Sequence, residues 1–112
     1  LQELASQNDK MVIHQEVRDW NHERFAVFDG LQKALARSLC TGNFCWQMDS
    51  DEVVHEDDYD KVRSICENFP NNMDLVAMPV IEFWGGREKV RADIFPWKWR
   101  LSRNKPFFCA RF

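Results

Sequence analysis

At 112 residues with 45% hydrophobic side chains, the chain is long enough for one domain with a real core. Its net charge of -3 argues against generic nucleic-acid binding, which wants a strong positive balance. No apolar run approaches the roughly 20 residues that a membrane-spanning helix needs, and five Trp and nine Phe predict a bulky aromatic core.

The first residue, Leu1, is not Met, and residues 1–10 are polar, without the apolar stretch of a signal peptide. The expectation is a single domain over residues 1–112 that is a central piece of a longer chain. Cys40, Cys45, Cys66 and Cys109 form no CxxC pair. Buried thiols in a reducing, cytoplasmic compartment are favoured over disulfides or zinc.

Residues 1–9 are weakly helical in character. Residues 10–17 read as a strand with Met11, Val12 and Ile13 as its buried part, and His14 reads as a packed or edge histidine. Residues 18–22 form a polar turn in which Asn21 is placed to cap the next helix. From 23 to 40, Phe25, Phe28, Leu31, Leu35 and Leu39 recur at helical spacing, with Ala34 beside them. Gly30 inside that helix costs about 1 kcal/mol relative to Ala, which predicts a break or a close backbone approach. Gly42 is the predicted stop. Lys33 and Arg37 share one helical face, which composition alone assigns to solvent.

Residues 43–48 alternate: Phe44, Trp46 and Met48 against Asn43, Cys45 and Gln47. This predicts a strand that ends at Asp49-Ser50-Asp51-Glu52. Ligands in open α/β sheets sit just beyond the carboxyl ends of strands. Two carboxylates one residue apart on a turn repel unless a cation intervenes, and hard oxygen donors suit Mg²⁺ or Mn²⁺ with a substrate phosphate. The later acids Glu56, Asp57 and Asp58 fall at the start of a second helix, where negative charge favours the macrodipole. Its core is Tyr59, Val62, Cys66 and Phe69, with Ile65 alongside, and Pro70 ends it.

Residues 74–84 read as a long strand in which Pro79 marks a bulge or an edge. Gly85-Gly86 is a hairpin turn, and residues 89–95 return antiparallel through Val90, Ala92 and Ile94. Residues 96–105 interleave Trp97 and Trp99 with Lys98, Arg100, Arg103 and Lys105, a pattern that suits stacking on a base or sugar, phosphate binding, or a cationic loop over the acidic turn. An ordinary amphipathic segment explains it equally well. Residues 106–112 are apolar. The order strand, helix, strand, helix, strand, strand predicts half of a doubly wound α/β sheet, with right-handed crossovers and an appended antiparallel hairpin.

The run Lys33-Ala34-Leu35-Ala36-Arg37, then Thr41-Gly42-Asn43-Phe44, then Met48-Asp49-Ser50-Asp51-Glu52 resembles the centre of the family 2 glycosyltransferases of GT-A fold. The resemblance covers roughly residues 11–84. It implies an α/β fold: a partial GT-A three-layer sandwich with the hairpin appended. It implies transfer of a sugar from a nucleotide-sugar donor to a saccharide or other acceptor, with Mn²⁺ or Mg²⁺ as cofactor. By position Asp51 is the main metal ligand. Asp49 faces the ribose, or the metal through water, and Lys33 approaches the nucleotide. The chain departs from the family where Ala34 and Ala36 replace Asn and Gly. No catalytic base is identified: nothing in the spacing of Asp93 or Glu82 supports either. A fragment inactive by itself is expected, cytoplasmic or peripheral to a membrane.

A second reading belongs to another class. In a non-enzymatic interaction module, the acidic turn meets the basic segment from Arg87 to Lys105, of this chain or of a neighbour. An EF-hand loop is excluded, because Val53 and Val54 occupy positions that need an oxygen ligand and a glycine.

Overall fold

The computed structural model describes residues 1–17, 19 and 24–105. The predicted Asn21 cap, the other residues of that turn except Asp19, and the apolar residues 106–112 lie outside the described residues. Two compact units are distinguished, one containing Leu1–Leu39 and the other beginning at Cys40, and each is described by itself.

In the first unit, α1 spans Gln2–Gln7 and α2 spans Phe25–Ser38. The predicted strand over residues 10–17 does not form. The segment is irregular, with Val12 88% and Val17 97% exposed. Met11-Val12-Ile13 has β propensity, but propensity alone does not make a strand without a ladder neighbour. Helix α2 matches its apolar spacing and runs unbroken through Gly30, where an added Cβ would meet nothing within 4 Å. Neither the break nor the close approach predicted at Gly30 is present. The helix ends at Ser38 with Leu39 as its C-cap, so Gly42 does not terminate it. Of the predicted stripe, Phe28 alone is buried, while Phe25 is 77% exposed.

The second unit is built on a three-stranded sheet. Strand β1 is Phe44–Trp46, β2 is Leu75–Pro79 and β3 is Trp97–Arg103. The order is β1-β3-β2 and both pairings are antiparallel. The chain is therefore mixed α and β, but the crossover-connected parallel ladder expected of a doubly wound half is not seen among the described residues. The reason lies in the Trp-Lys-Trp-Arg-Leu-Ser-Arg run, which is the central strand. Its basic residues mask the strand in the sequence, and its alternation is interrupted at Arg100, which the register with β2 skips. Leu101, at 2% exposure, is the most enclosed side chain described.

Strand β1 registers Phe44 with Arg103 and Trp46 with Leu101. Strand β2 is an edge, as Pro79 suggested, with an irregularity between Val76 and Ala77. It is shorter than the predicted run of 74–84. The hairpin beyond it is held by Trp84 N–H to Lys89 O at 3.0 Å and Arg91 N–H to Glu82 O at 2.9 Å. Gly85, at φ +70°, supplies the left-handed residue that its turn requires. The return arm pairs only at Val90 with Phe83, because its exposed apolar residues have no second ladder to pack against.

Between β1 and β2 lie the 3₁₀ turn Glu56–Asp58 and α3, Tyr59–Glu67. His55 caps the turn, its ring Nδ1 accepting the Asp57 N–H at 3.2 Å. As predicted, the acids cluster at the helix start. Phe69, just past the C-terminus of α3, is buried and meets the Phe44 ring at 5.1 Å between centroids.

Candidate functional site

The acidic turn follows directly from the end of β1. Gln47 N–H donates to Arg100 O at 2.8 Å, which carries the β1–β3 pairing one residue beyond the strand. The chain then reverses: Glu52 N–H donates to Asp49 O at 3.1 Å, and Asp49 N–H donates to Glu52 Oε2 at 3.1 Å. These reciprocal bonds close residues 49–52 into one tight turn, in the manner of a capping box. Asp49 and Asp51 are exposed on it, as their position at the strand end suggested.

Glu52 is the residue whose role the sequence did not single out. Its Oε1 accepts a hydrogen bond from Arg100 Nη2, a charge-assisted contact. The same nitrogen lies 3.9 Å from Asp49 Oδ2. The Arg100 side chain is 13% exposed, and its Nε is buried with no hydrogen-bond partner among the described residues. Arg100 was legible only as one cation of a basic segment. No local signal marked it, because the register of β3 with β2 passes from Leu101 to Trp99 and leaves Arg100 at the irregularity.

Lys33 does not share this unit. Its ammonium pairs with Asp29 Oδ2 at 2.9 Å along α2. The two residues considered as a catalytic base are both engaged. Asp93 takes a two-pronged hydrogen bond from Arg91, at 3.0 and 2.8 Å. That contact holds its carboxyl below the usual carboxylate value, the wrong direction for a proton acceptor near neutrality. Glu82 Oε1 lies 3.5 Å from Lys98 Nζ.

Elsewhere, the Lys61 ammonium hydrogen-bonded to Asp58 pushes that carboxyl down, and burial pushes the Cys66 thiol up. No disulfide joins Cys40, Cys45 and Cys66.

Chemically, the turn offers carboxylate oxygens at an exposed strand end. Asp49, Asp51 and Glu52 against Arg100 leave a formal excess of two negative charges. Among the described residues, no group of three or more His, Cys, Asp or Glu side chains is arranged to hold a metal ion. A Mg²⁺ or Mn²⁺ that keeps its waters and takes substrate phosphates needs only one or two protein carboxylates. Comparison of the chain with family models, curated proteins and solved structures gives no match. No helix among the described residues is long and apolar enough to cross a membrane.

Proposed function

We propose that this chain carries the donor-binding acidic turn of a metal-dependent glycosyltransferase. In this reading it is a GT-A-type piece that works on a nucleotide-sugar together with residues outside it. The observation that carries the reading is the tight turn after β1: it exposes Asp49 and Asp51 while Glu52 turns back onto Arg100. Asp51 and Asp49 would hold the cation, Mn²⁺ or Mg²⁺, and Asp49 would also face the nucleotide. When bound, the ion supplies Lewis-acid stabilisation of the leaving nucleoside diphosphate. The protein's own part is to fix the carboxylates on a closed turn at a sheet end and to keep excess negative charge there. Lys33 is retained as a nucleotide contact on the strength of the sequence resemblance alone. No described residue is assigned as base. The acceptor is a saccharide or another hydroxyl compound, and the proposed setting is cytoplasmic or peripheral to a membrane.

A second reading has its own supporting observation. The acidic turn meets the basic segment within this chain, through Arg100, as expected of a non-enzymatic interaction module.

One titration separates the two. Mn²⁺ is added with and without uridine or guanosine diphosphate, and tryptophan fluorescence is followed, Trp46 being three residues from Asp49. The transferase reading expects metal and nucleotide to strengthen each other's binding, and Asp51→Asn to abolish the response. A flat titration, with self-association that weakens in salt, replaces it with the interaction module.

A further inference from the structure

The ribbon made by β2, the hairpin beyond it and β3 has two unlike faces. Trp97 and Trp99 stand opposite Pro79 and Ala77 in a regular stretch of the register, with Lys98 opposite Met78 between them. Successive residues of an extended strand point to opposite faces, so the two tryptophans share one face and Lys98 lies on the other. The ladder continues past β2, where Val80 N–H donates to Pro96 O at 2.8 Å and Arg91 N–H donates to Glu82 O at 2.9 Å. Ile81 and Phe83 therefore follow Pro79 on the tryptophan face, and Val90 lies opposite Phe83. Contacts on the other face agree with this division. Glu82 Oε1 lies 3.5 Å from Lys98 Nζ, and the Arg91 guanidinium lies 5.5 Å from the centre of the Trp84 ring.

The charges of the ribbon are thus gathered away from the tryptophan face, and several are paired there. Lys98 meets Glu82, and Arg91 meets Asp93 at 2.8 Å. What remains is a face of Pro79, Ile81, Phe83, Val90, Trp97 and Trp99 without a charged side chain. It is open: Ile81 is 67% exposed, Phe83 and Val90 56%, Trp97 49% and Trp99 47%. A fully covered Trp or Phe buries about 150–250 Å², so three half-exposed rings with the aliphatic residues leave about 500 Å² of apolar surface. Two such faces together remove about 1,000 Å² from water, the size that a specific protein contact must clear.

We propose that this face is covered by the same face of a second copy of the chain, in a two-fold contact of sheet on sheet. The chemistry of the face selects that occupant. It has no charge with which to choose an ionic ligand, and a copy brings no like charge against it. A copy also matches it in area, and a two-fold contact closes on itself with neither face left over. The two ribbons pack about 10 Å apart with their indole and phenyl rings interleaved. The contact makes no use of the acidic turn.

Sedimentation velocity of the whole chain, from about 1 to 200 µM, tests it, since a contact near the lower size limit associates in the micromolar range. Expected is a rise in mass from 13.4 kDa to twice that. The association should hold or strengthen between about 0.05 and 0.5 M salt, because screening acts on charges and not on apolar burial. Ile81→Lys should weaken it by at least about a hundredfold, by setting a charge in the contact of each copy. Trp84→Lys, at a residue 66% exposed on the opposite face, should leave it within about twofold. Acrylamide quenching of tryptophan fluorescence in the unaltered chain should fall over the same concentrations. A chain that stays monomeric at 200 µM overturns the proposal, as does association that salt dissolves or that both substitutions abolish alike. Binding to phosphatidylcholine vesicles by a chain that does not self-associate overturns it too, and assigns the face to lipid. Should Ile81→Lys fail to fold, Phe83→Lys on the same face is held to the same loss.

Discussion

Replacing Arg103 by Met should destabilise the second unit by about 2–3 kcal/mol, and Arg103→Lys should recover less than half of that. Arg103 ends β3, and its guanidinium reaches back to the chain leaving α3. Nε donates to Met73 O at 3.0 Å, and Nη2 donates to Phe69 O at 3.1 Å and to Pro70 O at 2.9 Å. The plane also lies over the Phe69 ring, 4.9 Å from its centroid, and near that of Phe44 at 5.7 Å. Two of the three carbonyl contacts are exposed, so water replaces the donor there and each loss is about 0.5 kcal/mol. The part-buried Phe69 carbonyl contributes about 1.5 kcal/mol. The cation–π contacts add about 0.5 kcal/mol. Methionine keeps the apolar stem over the rings, so the packing loss is small. Lysine keeps the charge but not the planar fork that reaches three carbonyls at once. Urea unfolding followed by tryptophan fluorescence reads the effect. With an m-value of about 1 kcal/mol/M the midpoint falls by roughly 2 M. A midpoint within about 0.5 M of the unaltered protein, or full recovery by lysine, would refute the clamp.

Gly30→Ala should stabilise α2 by about 0.5–1 kcal/mol, because the added methyl meets nothing and the unfolded chain loses freedom; thermal melting by circular dichroism checks it, and a lowered midpoint counts against the open space. Asp58 is held below its ordinary value by the Lys61 ammonium, so its contribution to the start of α3 is complete above about pH 4. The contribution is lost as pH falls through the depressed folded value. Asp58→Asn should therefore flatten the acid limb of the helicity curve without changing its neutral plateau relative to a Lys61→Met control.

The parts of the fold legible in the sequence are those where a local rule has no competitor. Helix α3 announces itself by acids at its start, apolar residues at i, i+3, i+4 and a proline after its end. The Gly85-Gly86 reversal is equally local, since φ +70° asks for glycine. What was misread depends on partners distant in sequence. Residues 10–17 and the run from Trp97 to Arg103 both have strand-like stretches, yet only the second finds ladder neighbours on both edges. Its lysines and arginines disguised it, because long basic side chains can lay their stems on a sheet and still reach polar groups at its rim. The acidic turn was placed correctly at a strand end. The link from Glu52 to Arg100 crosses 48 residues, so no window of sequence contains it.

That link bears directly on how a charged turn is to be interpreted. An arginine beside paired acids invites the view that the acids exist to hold the arginine, which would make the turn structural. Stoichiometry opposes it. One guanidinium satisfies one carboxylate well, and here that carboxylate is Glu52, with Asp49 only at the margin of an ion pair. A turn serving the arginine alone needs neither Asp49 nor Asp51. Keeping three acids within four residues carries a standing repulsion, which grows as the ionic strength falls. A positive charge beside the turn relieves that repulsion, whether Arg100 of this chain, a metal ion or a basic surface. The two proposed readings of the turn differ in which cation adds to the relief that Arg100 gives: a small divalent ion in one, a basic surface in the other. A small divalent ion binds in a ratio set by the carboxylates and survives moderate salt, whereas a basic protein surface is screened over about 10 Å at 0.1 M salt.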